Sequence, residues 1–468
     1  MSPRRTTVTI ALAWLGLAAG CNEPEERPQV VVHVDMDMLL VSQLDETTSA
    51  AAVLDTLRIE VLAADRSVLD VRQVAIGSTE DLPFSFGIAS ELGEQVHVRV
   101  RAFRAALATA GQTITAASPD PVALLDPPSL LTVDRVLTVA MPALGVEHVN
   151  VVLHGECMGI PPSFGEAEIA TCVDDPGRRD ASTSGVASGA KEETDAGTWW
   201  RSTTLPCNGT PPVGTRCVPG GLSIIGDPLF VARNELEYDA VPARMTFLSP
   251  MFMDETEMTV GMLRKLIGAG YAGPLPDPKE PDDGADQYCS FDPGSAADLP
   301  LNCVSKETAT ALCAARGGFV PTEAQWDHAA RGRGGRRVFP WGSELPDCCT
   351  ATFGRSPGAG CDGTGPLPVK THMGSDSCDA DVSRDGIADL AGSLAELTRD
   401  AIGTYDDDCW HTSESAISED PICEDDDLSI ARGASWAMPV GDVPLPIRRS
   451  FSSSDSSYGF RCVFEATP

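Results

Sequence analysis

Sulfur and carboxylate are the two reactive groups this sequence offers in quantity: 15 cysteines and 68 Asp plus Glu, beside only 7 histidines. Cys21 ends the run Leu17-Ala18-Ala19-Gly20-Cys21, behind Arg4, Arg5 and an apolar stretch from Val8 to Ala19. A charged start, a short apolar run and small residues before a thiol read as a lipoprotein export signal over 1–20, with Cys21 taking the lipid. Thr6-Thr7 makes Arg4-Arg5 a weak match to a twin-arginine signal. Setting Cys21 aside leaves an even number of cysteines, and no CxxC occurs. In an exported chain that pattern predicts a disulfide framework rather than a zinc knuckle or a thiol-redox motif. Cys157 with Cys172, Cys207 with Cys217, and Cys409 with Cys423 stand close enough to close small loops. Adjacent Cys348 and Cys349 are expected in two separate bridges, since a ring between neighbours is strained.

The carboxylates are less specific. Asp381-Val382-Ser383-Arg384-Asp385-Gly386 opens like an EF-hand loop, but the twelfth position is Gly392, not a bidentate Glu, and the flanks are not helical. It reads as a turn. Asp406-Asp407-Asp408 and Glu424 to Asp427 flank Cys409 and Cys423 and read as a solvated acidic loop. The histidines are scattered, with no HExxH and no facial triad; His328 falls inside a helical pattern, where packing is the expected role. There is no nucleophile elbow and no P-loop. A net charge of -34 argues against a nucleic-acid partner and against a polybasic membrane surface.

These groups need a frame of two or three domains, given 468 residues. Residues 21–29 are polar, with Pro24 and Pro28, and read as a tether. From about 30 to 155 the period is two: Val96-His97-Val98-Arg99-Val100-Arg101 and Leu57-Arg58-Ile59-Glu60-Val61 put apolar and charged side chains on opposite faces. Several such short strands predict an antiparallel sandwich of immunoglobulin-like type, with no catalytic motif. Residues 156–212 are rich in Gly, Ser, Pro, Asp and Thr, and 181–197 is nearly free of large apolar residues, which predicts a flexible, cysteine-containing linker. No stretch after the signal reaches the ~18 apolar residues of a spanning helix.

The C-terminal domain, 213–468, carries distinctive blocks in a fixed order. They are Val218-Pro219-Gly220-Gly221, Phe252-Met253-Asp254-Glu255, Gly318-Phe319-Val320-Pro321-Thr322-Glu323-Ala324-Gln325-Trp326, and Phe339-Pro340-Trp341-Gly342. Asp389-Leu390-Ala391-Gly392-Ser393-Leu394-Ala395-Glu396-Leu397, Arg432-Gly433-Ala434-Ser435-Trp436 and Tyr458-Gly459-Phe460-Arg461-Cys462 follow. Thr322 is placed to cap a helix with Glu323 at its positive end and Trp326, Ala329 and Ala330 on one face. In this order the blocks resemble the formylglycine-generating enzyme, or sulfatase-modifying factor, family.

The resemblance implies an α+β fold of C-type lectin-like kind with little regular structure. It also implies an oxidase that converts a sulfatase cysteine to formylglycine with oxygen and copper held by two cysteines. Those cysteines would stand three residues after Ser435 and five beyond that, where this chain has Met438 and Val443. Valine ligates nothing and a thioether only weakly, so copper is not expected. The aromatic after the block's Glu is Leu397 here. The resemblance pairs Cys313 with Cys462. It also implies calcium on the Gly392-to-Glu396 turn, through the Glu396 carboxylate and the carbonyls of Gly392 and Leu394, although Ser393 replaces an Asn. A second calcium site would need an Asn where Thr352 stands, with Asp362. With Ser435 and Arg448 as the remaining polar groups and no catalytic pair, the leading expectation is a binding module for a protein or glycan. It would be exported and lipid-anchored to a bacterial envelope, on the periplasmic or surface face of the outer membrane. The alternative is a formylglycine-type oxidoreductase, or another enzyme on this fold, with an altered site.

Overall fold

A computed structural model describes residues 28–466, apart from 90–91, 93–94, 114, 116–121, 166–168, 175–178, 182–193, 231, 233–236, 239, 280–285, 412–415, 425–428 and 452–453. The export signal, Cys21, most of the tether, the middle of the expected linker and part of the second acidic run lie outside the described residues.

The period-two segments form strands. One sheet has the order β4-β1-β9, with β1 Gln29–Met36, β4 Phe84–Ala89 and β9 Val146–Leu153; the other has β3-β2-β5-β8, with β2 Thr56–Leu62, β3 Val68–Ala75, β5 Gln95–Phe103 and β8 Thr132–Ala140. Val30, Val32 and Val34 of one sheet and Leu57, Ile59, Val96, Val98 and Val100 of the other share one core. The expectation of a purely antiparallel arrangement needs correcting, because β1 and β9 run parallel. The charged face of β2 is also not open to water. A hairpin of β6 Thr109–Thr113 and β7 Val122–Asp126 lies beside it, and Arg58 reaches Glu60 at 2.7 Å and Asp126 at 3.1 Å. Arg99 and Arg101 both reach Asp134, at 2.9 and 2.8 Å. Alternation showed which face was polar, not what covered it.

The stretch expected to be a linker is docked at its described ends. Trp199 is buried in the sandwich core, and its ring lies where a side chain on Gly155 would stand. Gly197 and Trp199 donate to the carbonyl of Asp37, and Thr204 to that of Thr47. Two disulfides, Cys157–Cys172 and Cys207–Cys217, close its loops.

Among the described residues the C-terminal part has three short α-helices set among strands: α1 Val260–Gly268, α2 Lys306–Ala315 and α3 Glu323–Ala330. Their N-caps, Thr259, Ser305 and Thr322, each accept a backbone N–H, and Thr322 with Gln325 forms a capping box. Three small sheets frame the helices. β10 Thr215–Val218, β14 Met251–Asp254 and β19 Val463–Glu465 form one; β11 Gly221–Ile225 and β13 Arg244–Leu248 pair with Ser418–Glu419 in another. The third has the order β12-β17-β16-β15-β18, with β12 Glu237–Tyr238, β15 Ala395–Ala401, β16 Ser429–Arg432, β17 Arg448–Phe451 and β18 Tyr458–Gly459. Leu222 and Ile224 of β11 and Met245 and Phe247 of β13 belong to the same buried cluster as the sandwich valines. The two halves therefore share a core, and Ser49 Oγ donates to the carbonyl of Leu222 at 2.9 Å across the join.

Candidate functional site

The sequence pointed to the turn after β16. Gly433 makes that turn possible: its φ is +76°, and a side chain there would meet the carbonyl of Leu390 at 2.7 Å. Ser435 follows, fully buried, with Oγ lacking a hydrogen-bond partner. Its N–H points at Met438 Sδ, 3.4 Å away, while the Met438 N–H returns to the Ser435 carbonyl at 3.1 Å. The thioether is thus turned onto its own backbone. Val443 is completely buried, in one cluster with Trp326, Phe339, Ala434 and Leu445, and Met438 packs against the same cluster. Trp436 is pinned by N–H bonds to the carbonyls of Ser393, at 2.7 Å, and Ser456, at 2.8 Å. A buried valine and a partly buried thioether stand at the two positions where the resemblance would place thiolates.

Among the described residues no free thiol is available. Every described cysteine is in one of seven disulfides. Cys313–Cys462 ties α2 to the segment entering β19, with Cα atoms 5.5 Å apart. Cys348 pairs with Cys361 and Cys349 with Cys378, so the vicinal cysteines do form two bridges, and Cys409–Cys423 closes the acidic loop. Cys289–Cys303 had no distinguishing sequence signal. Asp347, Cys349 and Cys378 come together as a metal-like trio, but both sulfurs are bonded to each other. These residues do not fit a cuprous ion.

The residues proposed for calcium hold something else. Both oxygens of the buried Glu396 face Arg461, at 2.6 and 2.5 Å, and Trp326 Nε1 donates to one of them at 3.0 Å. The Gly392 and Leu394 N–H groups donate to Asp381 and Glu257, so this turn aims donors rather than carbonyls at the carboxylates. Ser393 N–H donates to the carbonyl of buried Thr352, while Asp362 is exposed. The Glu396 carboxylate is thus engaged by an arginine and Asp362 is exposed, and calcium on Glu396, Gly392, Leu394 and Asp362 stays a proposal.

Asp381, read from sequence as part of an idle turn, is a buried anchor that accepts the N–H groups of Leu390, Ala391 and Gly392. Burial, then the neighbouring Asp389, lifts its carboxyl to about 7. Burial lifts Asp389 to about 6. Burial, then Asp389 and Glu396, pushes Glu257 well above the usual carboxylate range, and Glu257 Oε2 has no hydrogen-bond partner. Arg461 is the cation this group encloses; it also donates to the carbonyls of Asp254, Ala388 and Asp389.

Arg448 lies in a second buried network rather than beside Ser435. It grips Glu323 through Nε at 2.7 Å and Nη2 at 2.9 Å, and its guanidinium lies 4.0 Å over the Tyr405 ring. Arg432 bonds Glu323 at 3.1 Å and also Asp327. Burial opposes ionisation of Glu323, yet Arg448 and Arg432 hold its carboxyl below the ordinary range. Glu323 thus does more than complement the α3 dipole: it joins three elements. Burial likewise holds His328 neutral, lowering it to about 4, and its Nε2 meets the Pro219 carbonyl at 2.9 Å, a packing role.

The model of the sulfatase-modifying factor enzyme 1-like domain matches residues 206–466, more than half of the chain. This chain belongs to the sulfatase-modifying factor family. Inactive C-alpha-formylglycine-generating enzyme 2 of Bos taurus is 27% identical over 176 residues, 36% of this chain and 50% of that protein. Hercynine oxygenase of Mycobacterium tuberculosis is 28% identical over 169 residues, 35% of this chain and 34% of that one. The chain thus spans half or less of the length of these family relatives. Among solved structures, Treponema denticola variable protein 1 aligns with a TM-score of 0.37 and 17% identity, over 54% of this chain and 95% of that one.

Proposed function

We propose that this protein is a non-oxidase member of the sulfatase-modifying factor family. It is exported, lipid-anchored at Cys21 to a bacterial envelope, and its C-terminal domain serves recognition of a protein or glycan. The observation that carries this reading is the filled reaction centre: Val443 is core, Met438 Sδ faces the Ser435 N–H, and the described cysteines are in disulfides. Without a thiolate pair the scaffold lacks ligands soft enough for cuprous ion. That a similar protein carries the name of an inactive formylglycine-generating enzyme agrees with it. The immunoglobulin-like character of the N-terminal sandwich and the lectin-like character of the C-terminal domain belong to the same reading. The net charge of -34 makes nucleic acid an unsuitable partner.

The similarity to a protein named hercynine oxygenase favours a second reading, an oxygen-using enzyme with a different site. One experiment tests the recognition reading against the family's oxidase chemistry. The purified full chain is loaded with cuprous ion, incubated aerobically with a sulfatase cysteine peptide, and the peptide is weighed by mass spectrometry. The recognition reading expects unchanged peptide mass and no oxygen uptake above a protein-free blank. Formylglycine formation would overturn it.

A further inference from the structure

We propose that the outward face of the β4-β1-β9 sheet carries a site for a divalent late transition-metal ion, nickel or copper, built from His33 and His148. Both histidines lie on the solvent side, because their neighbours Val32, Val34 and Val149 point into the core. The parallel register sets His33 beside Asn150 and His148 beside Val31, so the imidazoles approach diagonally from adjacent strands. An antiparallel partner, as the sequence alone suggested, would not have set this register.

The donor atoms are already close. His33 Nε2 and His148 Nδ1 are 2.9 Å apart, and the rings lie within 10° of parallel. Imidazole nitrogens bind such ions at about 2.0–2.1 Å, so two of them 2.9 Å apart subtend an angle of about 90° at a shared ion. That is the angle between neighbouring ligands in tetragonal or square-planar coordination, the preference of cupric and nickel ions; a tetrahedral ion would want the nitrogens several tenths of an ångström further apart. Calcium and magnesium select oxygen and are not suited to the pair.

A supporting group orients the first histidine. His33 Nδ1 lies 2.7 Å from Ser85 Oγ, on β4 directly across the register. With the hydroxyl accepting the Nδ1 proton, Nε2 keeps its lone pair toward His148, the kind of outer contact that fixes a ligating imidazole. For binding, His148 carries its proton on Nε2 instead of Nδ1, and both rings turn so that the lone pairs, now aimed along the line between the two nitrogens, converge on the ion. Gly87 stands opposite Val31 on the same outward face, and among the described residues Gln29 Oε1, at 3.9 Å, is what lies near where a side chain there would project. His148 itself is exposed. Water can complete the coordination.

The test is a titration of the purified full chain with nickel and with cupric ion, followed by calorimetry, with electron paramagnetic resonance of the copper form. The proposal expects one ion per chain and hyperfine splitting from two nitrogens. His33→Ala or His148→Ala should weaken binding at least 30-fold. Ser85→Ala should weaken it by ~10-fold, the usual cost of losing an orienting contact, and His411→Ala should leave it unchanged. Circular dichroism confirms that each variant is folded. If the His33→Ala/His148→Ala double variant binds either ion as tightly as the unsubstituted chain, or the copper spectrum shows fewer than two nitrogens, the pair is only a hydrogen bond between strands and the proposal is wrong.

Discussion

Replacing Arg461 with methionine tests the electrostatic account of the C-terminal core. Arg461 is fully buried and makes two bonds to Glu396 and three to backbone carbonyls. Methionine keeps much of the volume but leaves Glu396 with Trp326 Nε1 alone, beside Glu257 and Asp389. Removing one partner of a buried ion pair costs ~3–5 kcal/mol. The stranded carbonyls add on the order of 1 kcal/mol each where water cannot reach them. We therefore expect a loss of roughly 6–8 kcal/mol at pH 8, the pair and the three carbonyls together. At pH 5 the loss should be smaller, because burial keeps Glu257 and Asp389 largely protonated there and they no longer repel the orphaned carboxylate. The assay is urea denaturation with the disulfides intact, read by tryptophan emission, since Trp326 sits on Glu396. The Arg461→Met/Glu396→Met variant removes both charges and should recover most of the loss, because apolar replacement of a whole buried pair is often near neutral. If the single variant loses less than ~1 kcal/mol at both pH values, or the double variant is no more stable than the single, the reasoning fails.

Two further predictions concern the same domain. Burial, then Asp389, lifts the Asp381 carboxyl from its ordinary 3.8 to about 7, so its contribution to stability is present below pH ~4 and is lost as pH rises through about 7. Relative to Asp381→Asn, the wild type should therefore lose stability between pH 5 and pH 8 and change little above that, as read by melting temperature across that range. Replacing both Cys313 and Cys462 with alanine should cost about 2–5 kcal/mol in the same urea assay, because the bridge constrains residues 149 apart in sequence; an unchanged midpoint would mean the bridge is not formed.

What the sequence disclosed was local. The Thr322 cap, the buried face of Trp326, Ala329 and Ala330, and the strands at 57–61 and 96–101 follow from periods and cap chemistry within a few residues. The replacements at 438 and 443 were equally visible, and the structure adds only that the space is filled. What stayed hidden was set by partners outside the local period, some of them far along the chain. Glu396 read as a cation ligand because its arginine stands 65 residues away. Asp381 looked idle because its three N–H donors come from the following turn. The parallel pairing of β1 with β9 joins strands more than a hundred residues apart, and no local pattern distinguishes it from an antiparallel one.

The common cluster beneath β11 and β13 has a bearing on how the molecule can be dissected. Leu222, Ile224, Met245 and Phe247 find their neighbours among Ala51, Ala52 and the sandwich valines. A fragment starting near residue 206 would present those four side chains to solvent as a continuous oily strip, prone to self-association. The sandwich is thus an obligatory lid on the family domain.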